Sequence, residues 1–273
     1  MHYVVIGGHR EHRDRGAEIL KMESSKIIND NCWVAYFDIL GFESLLLYIQ
    51  EQFSSANLDV VVRCYHEQIL RYVESQLKKQ PNFTPVEFDY ACSSDSFVFF
   101  TADDSNESYL TMDHVSRLFF FRMICKEIPF RGSLTTGEFY ADKQKNIFVG
   151  QGLIDAYKYA EKQDWIGFVL TPTAYEKLCG TYLDLRKRSD YAEYDVPIKR
   201  KEIVNGIVQI RKSREKLFVH RINKYANIEK TIMRMQQEAK NRYGKDYEDK
   251  YKAKYENTLE FIRTTGLKPC STK

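Results

Sequence analysis

The chain lacks the signatures that most quickly assign a function. Its six cysteines (Cys32, Cys64, Cys92, Cys125, Cys179 and Cys270) contain no CxxC pair and no zinc-ligand spacing. That excludes a zinc module and a disulfide framework, and it fits reduced thiols in a cytosolic protein. No apolar run approaches the ~20 residues needed to cross a bilayer. The opening Met1 to Gly8 is too short and too quickly charged for a signal peptide. A soluble, cytoplasmic protein with no membrane partner is expected. A charge excess is missing too: 41 basic against 38 acidic residues leave +3, too even to argue for nucleic acid. There is no internal repeat. What is present is apolar bulk: 17 Phe and 19 Tyr within 273 residues supply a large core and exclude global disorder.

The pattern divides the chain into a polar extension over 1–29, a main domain over 30–225 and a helical extension over 226–273. The extension carries the charge run His9 to Arg15, in which His9 and His12 read more simply as solvated residues than as metal ligands. From Trp33 the order is strand (33–38), Gly41 turn, short helix, and a longer helix over about 57–79. Strands at 86–92 and 96–101 follow, then a helix over 110–126 and a strand over 130–140. A helix at 150–162, a strand at 165–170 and a helix opening on Thr171-Pro172 complete the run. Further strands are expected near 194–200, 206–210 and 217–222. This is an α+β fold with a βαββαβ palm-like core: an antiparallel sheet with helices on one face and a long C-terminal helix. The stripe of that last helix (Ile228, Ile232, Met235, Ala239, Tyr243, Tyr247, Tyr251, Tyr255, Leu259, Ile262) either lies on its own domain or meets a second subunit.

Two carboxylates stand out. Trp33 to Ile39 reads as a buried strand ending in Asp38, and Ser93-Ser94-Asp95-Ser96 sets Asp95 in a tight turn between two apolar runs. Aspartates on adjacent strand ends can hold divalent cations, which in turn grip a triphosphate. Asp38 alone would also serve as a helix N-cap, and Asp95 alone as a turn residue. The turn Leu40-Gly41-Phe42 offers unpaired N–H groups at a helix start, where anions bind.

Taken together, FDILGF (37–42), SSDS (93–96), RGSLTTG (131–137), GQGLIDAYK (150–158) and VPIKRK (196–201) before LFVHRI (217–222) resemble the motifs of class III nucleotide cyclases. Within them, the chain is similar to the bacterial pyrimidine cyclases of the Pycsar anti-phage system, over residues 33–222. The resemblance implies a class III cyclase-like palm and two divalent cations, Mn²⁺ or Mg²⁺, on Asp38, Asp95 and the carbonyl of Ile39. It implies a substrate-binding segment of Phe37, Leu40, Gly41 and Phe42, a triphosphate-contacting Arg131, and a phosphate lysine at Lys199 or Lys201. Lys158 stands where the family has an arginine that stabilises the transferred α-phosphoryl group, and it lacks the planar two-pronged geometry. Ile154 replaces that motif's asparagine. The family's homodimer implies composite pockets, with Asp38, Asp95 and Arg131 of one chain meeting Lys158 and Lys199 of the other.

Base choice follows from the same alignment of motifs. The positions that read adenine in adenylyl cyclases are Ala91 and Ile147, neither of which can pair with a purine edge. Tyr90 lies beside them as either a reader of a smaller base or a core residue. The resemblance implies a uridylate cyclase converting UTP into 3′,5′-cyclic UMP, whose product is a messenger for a separate effector in defence against phage. A cytidylate or purine cyclase and a catalytically silent cyclase-like module are the alternatives.

Overall fold

The computed structural model describes residues 27–43, 46–47, 70–73, 75–77, 84–93, 95–204, 207–222, 225 and 227–265. Residues 1–26 of the expected extension, most of the helix expected over 57–79, Cys64 and Cys270 lie outside the described residues.

The central strand β1 (Ile28–Ile39) is apolar on both parities because helices cover both of its faces. Trp33, Ala35, Phe37 and Ile39 belong to one cluster, and Cys32 and Val34 to the other. β1 begins five residues before the expected start. Its neighbours are β3 (Ser96–Thr101) and β4 (Phe130–Asp142), both antiparallel to it, and β2 (Phe88–Ser93) pairs β3 at the edge. The register sets Asp38 opposite Ser96 on one side and opposite Arg131 on the other. β5 (Ile147–Val149) pairs β4 off the main path. Beyond β4 the sheet continues through β6 (Phe168–Leu170), parallel to β4, to β8 (Ile207–His220) and β7 (Tyr191–Val204). The spatial order is β2-β3-β1-β4-β6-β8-β7. The expected α+β class and βαββαβ order are observed. The three strands expected after residue 190 are two, because 207–210 and 217–220 belong to one continuous β8 that pairs β7 along its whole length.

One face of the sheet is an aromatic core. The ring of Phe37 stacks on Phe130 at 5.2 Å and an interplanar angle of 4°, with Phe99, Phe119 and Phe168 around it. α1 (Asn106–Cys125) closes this face with Tyr109, Met112, Phe119, Phe120 and Met123; its start is capped by the Ser105 hydroxyl, which accepts from Ser108 N–H. Helices cover both faces of the sheet and not one as expected, because the opposite face carries α2 (Gln151–Glu161), seated by the small residues Gly152, Ala156 and Ala160. Gly152 meets Gly137 of β4 so closely that a Cβ on either would lie 3.1–3.2 Å from the other's backbone. Ser133 Oγ of β4 donates to the Ala156 carbonyl at 2.6 Å. α3 (Pro172–Leu178) starts on Thr171-Pro172 as the sequence indicates.

The long C-terminal helix is present and folds back on itself. α4 (Ile228–Tyr243) ends at Gly244, a π-helical turn spans Tyr247–Tyr251, and α5 (Lys252–Thr264) returns alongside. The ion pair between Arg263 near the end of α5 and Glu229 at the start of α4, 2.7 Å, shows the antiparallel course. The stripe seen in the sequence packs on the chain's own core, where Ile232, Met235, Tyr255 and Leu259 are buried. Among the described residues, no helix is long and apolar enough to cross a membrane.

Candidate active site

The end of β1 opens into a cleft of about 590 Å³ lined by sixteen residues from six parts of the chain. Strand alternation decides which of them point in. Tyr36 and Asp38 share the α2 side of β1, next to Ser96 and Asp95 of the β2–β3 turn and Arg131 of β4. The turn Ile39 to Glu43 forms the floor, Tyr157 and Glu161 of α2 one wall, and Lys199 of β7 with Lys250, Tyr251 and Lys254 the other. The two aspartates are tied through the backbone: Ile39 N–H donates to the Asp95 carbonyl at 3.0 Å. Gly41, at φ +72°, makes the turn that a side-chain-bearing residue would strain, and a Cβ there would lie 2.6 Å from Tyr243 Oη.

The electrostatics are those of an anionic corner held in check by cations. Arg131 Nε and Nη2 both reach Asp38 Oδ2, at 2.9 and 2.8 Å, so Oδ1 takes no part in the bridge. Arg131 Nη1 donates to the carbonyls of Glu161 and Gln163, which pins the guanidinium to the end of α2. Burial is the largest influence on Asp38 and pushes its carboxyl up; Arg131 opposes this, and the neighbouring Asp95 charge adds to it, leaving the group above its ordinary value. Burial first, with the Asp38 and Asp95 charges opposing the Ser96 hydrogen bond, pushes the Tyr36 phenol up to about 12, so it stays protonated beside them. Its oxygen is 2.7 Å from Ser96 Oγ.

Three lysines gather on Asp164, which is buried at the far wall. Lys199 Nζ is 2.8 Å from its carboxylate, Lys212 3.7 Å and Lys254 3.8 Å. Burial, then the charge of Lys199, brings the Lys254 amine down to about 8.

Of the residues singled out in the sequence, the structure brings together Asp38, Ile39, Leu40, Gly41, Phe42, Asp95, Arg131 and Lys199. Lys199, expected to reach in from a second subunit, lines the cleft of its own chain, and Lys201 instead pairs with Glu161 at 3.4 Å. Three residues are not brought in. The side chain of Phe37 lies in the aromatic core, fully buried on the other face, because it alternates with Asp38. Tyr90 pairs with Phe99 across the strands and leans on its ring at 6.0 Å, so it faces the core and not the cleft. Lys158 is exposed on α2, one residue beyond the Tyr157 that does line the cleft. The sequence reading missed Tyr36, Tyr157, Glu161, Lys250, Tyr251 and Lys254. Tyr36 could have been found as the residue two before Asp38 on the same strand face; nothing local announces Lys254.

The donor chemistry fits small hard cations: two carboxylates and the Ile39 carbonyl, all oxygen, at rigid strand ends. Among the described residues there is no group of three or more His, Cys, Asp or Glu side chains placed to hold a metal. Cations held here would complete their coordination with oxygens of a ligand or of water.

No protein-family model matches the chain, and no curated protein matches it. Solved structures similar to it include the catalytic core of a rhodopsin-guanylyl cyclase with converted specificity in complex with ATPalphaS, at 14% identity and TM-score 0.43, covering 71% of this chain and 97% of that one. Another is the guanylyl cyclase Cya2, at 10% identity and TM-score 0.38, covering 70% and 91%. A third is an adenylate/guanylate cyclase/hydrolase from Silicibacter pomeroyi, at 9% identity and TM-score 0.38, covering 71% and 98%. Likeness of this degree assigns no role to any residue.

Proposed function

We propose that the chain is a nucleotide cyclase acting on a pyrimidine nucleoside triphosphate, with UTP as substrate and 3′,5′-cyclic UMP and pyrophosphate as products. The observation that carries this reading is the convergence of Asp38 and Asp95 at the mouth of one cleft, beside a turn suited to phosphate and a wall of lysines. Divalent cations held by Asp38, Asp95 and the Ile39 carbonyl would neutralise the triphosphate and acidify the attacking hydroxyl. The residues of the chain supply the rest. Arg131 fixes the Asp38 carboxylate by a two-pronged bridge and anchors it to α2. The Leu40 to Phe42 turn and Lys199 hold the phosphates, so that the 3′-hydroxyl oxygen meets the α-phosphorus in line and the bond to pyrophosphate breaks.

Ala91 and Ile147 support a pyrimidine: neither presents the hydrogen bonds a purine edge needs. With Tyr90 turned to the core, uracil is not favoured over cytosine by that residue, and UTP and CTP are the pair to compare. A homodimer, and a messenger role in defence against phage through a separate effector, rest on the sequence motifs alone. A second reading is a catalytically silent module that binds nucleotide, favoured by the Arg131 bridge on Asp38 and the exposed Lys158.

Product analysis with each of the four NTPs and Mn²⁺ tests the proposal. A cyclic pyrimidine nucleotide is expected in excess over cyclic purines. Cyclic AMP or GMP as the main product overturns the base assignment, and no cyclic product from folded protein leaves the silent module.

A further inference from the structure

The C-terminal helical hairpin is not a bystander to the cleft. α5 is bonded to the segment that carries Asp164: Asn257 Nδ2 donates to the Asp164 carbonyl at 2.8 Å, and Thr258 Oγ1 accepts from Ile166 N–H at 2.9 Å. Thr258 Oγ1 also lies 2.8 Å from the Lys254 carbonyl, so the turn bearing Lys254 is fixed from both sides. The Lys254 amine bonds the Lys250 carbonyl and faces Asp164 at 3.8 Å, within reach of the Arg131 charge that clamps Asp38. One carboxylate thus serves Lys199, Lys212 and Lys254 at once, which leaves positive charge over on that wall. The stacked rings of Tyr243 and Tyr251, 3.8 Å apart at 11°, sit directly against Gly41 and so tie the hairpin to the turn that lines the cleft.

From this we infer that Lys254, delivered in cis by the C-terminal hairpin, binds the polyphosphate tail of the ligand together with Lys199, making the hairpin a working wall of the site. The inference rests on the reading that the cleft takes a nucleoside triphosphate. Burial of an amine against a second lysine is unfavourable unless an anion is available to relieve it, and the lowered position of the Lys254 amine registers that strain. A polyphosphate supplies the missing counter-charge, and a flexible lysine stem reaches it as a point charge.

The test uses the whole protein and two probes, inorganic tripolyphosphate and UMP, measured by calorimetry. Lys254→Met is expected to weaken tripolyphosphate binding by about tenfold or more, the worth of a charge-assisted hydrogen bond, and to leave UMP within about twofold. Unchanged tripolyphosphate binding, or equal losses for both probes, overturns the inference. Should the variant not fold, amine acylation of the unmodified protein decides: tripolyphosphate is expected to protect Lys254, and equal labelling with and without it overturns the inference. The two readings fail separately. Cyclic product with no effect at Lys254 sinks this inference alone. Lys254-dependent tripolyphosphate binding with no cyclic product from any NTP sinks the cyclase alone.

Discussion

Asp38 and Asp113 both carry arginine partners, and they behave in opposite ways. Asp113 of α1 is fully enclosed: Arg188 reaches it at 2.7 Å, Arg117 at 3.0 Å, and the Tyr191 hydroxyl donates to its other oxygen. Burial would push that carboxyl up, but the two guanidinium charges and the phenol overcome it and hold the group below its ordinary value. Asp38 has one arginine and faces a second carboxylate, and it ends above its ordinary value. An acid with both oxygens answered from within the chain is part of the scaffold. One that keeps an unanswered oxygen beside another acid is a place for something from outside.

That contrast can be broken in three ways. Asp38→Asn or Asp95→Asn should lower turnover by about 10³-fold or more, the size expected when charge stabilisation at the reacting centre is lost, with the melting temperature nearly unchanged. Near-normal initial rates in either variant would place the chemistry elsewhere. Asp113→Asn should do the reverse. It leaves Arg117 and Arg188 buried against a neutral partner, a loss of about 3–5 kcal/mol in urea unfolding, while activity per folded molecule holds.

The smallest effect sharpens the scaffold side. His220, buried beside the same centre, has its ring pushed down to about 3, by burial first and then by Arg117, against the opposing charges of Asp113 and Asp190. Its Nδ1 lies 3.2 Å from the Asp190 carbonyl, and the rings of Phe168, Tyr191 and Tyr225 surround it. Because the folded value is depressed, its contribution is whole above about pH 6.5 and falls as the pH drops towards 3. About 2 kcal/mol of stability should be gone by pH 5, and His220→Phe should flatten that part of the unfolding profile. An unchanged slope would show that the ring is not buried neutral.

Much of this was legible from local pattern. The strand-turn-helix run through Asp38 and Gly41, the Asp95 turn and the VPIKRK segment each announce themselves within ten residues, and all of them meet in the cleft. Phe37 and Tyr90 show the limit of motif reading. Motifs mark neighbours along the chain, whereas the pleat sends Phe37 and Asp38 to opposite faces of β1. Lys254 was illegible for a different reason. The apolar stripe of the last helices predicts what they bury, but the fold-back at Gly244 decides which lysine reaches Asp164, some ninety residues away in sequence. The union of two short strands into β8 likewise depends on the full length of its partner, β7.

The contact between Gly137 and Gly152 has a consequence for cleft width. α2 touches β4 at its first turn, and its last residue, Glu161, stands about 14 Å further along at ~1.5 Å per residue, forming the cleft wall. A methyl group inserted at the near end would act as a wedge under a lever. It would tilt Tyr157, Glu161 and the carbonyls that steady Arg131, so the aperture of the site is gauged by two missing side chains at its remote end.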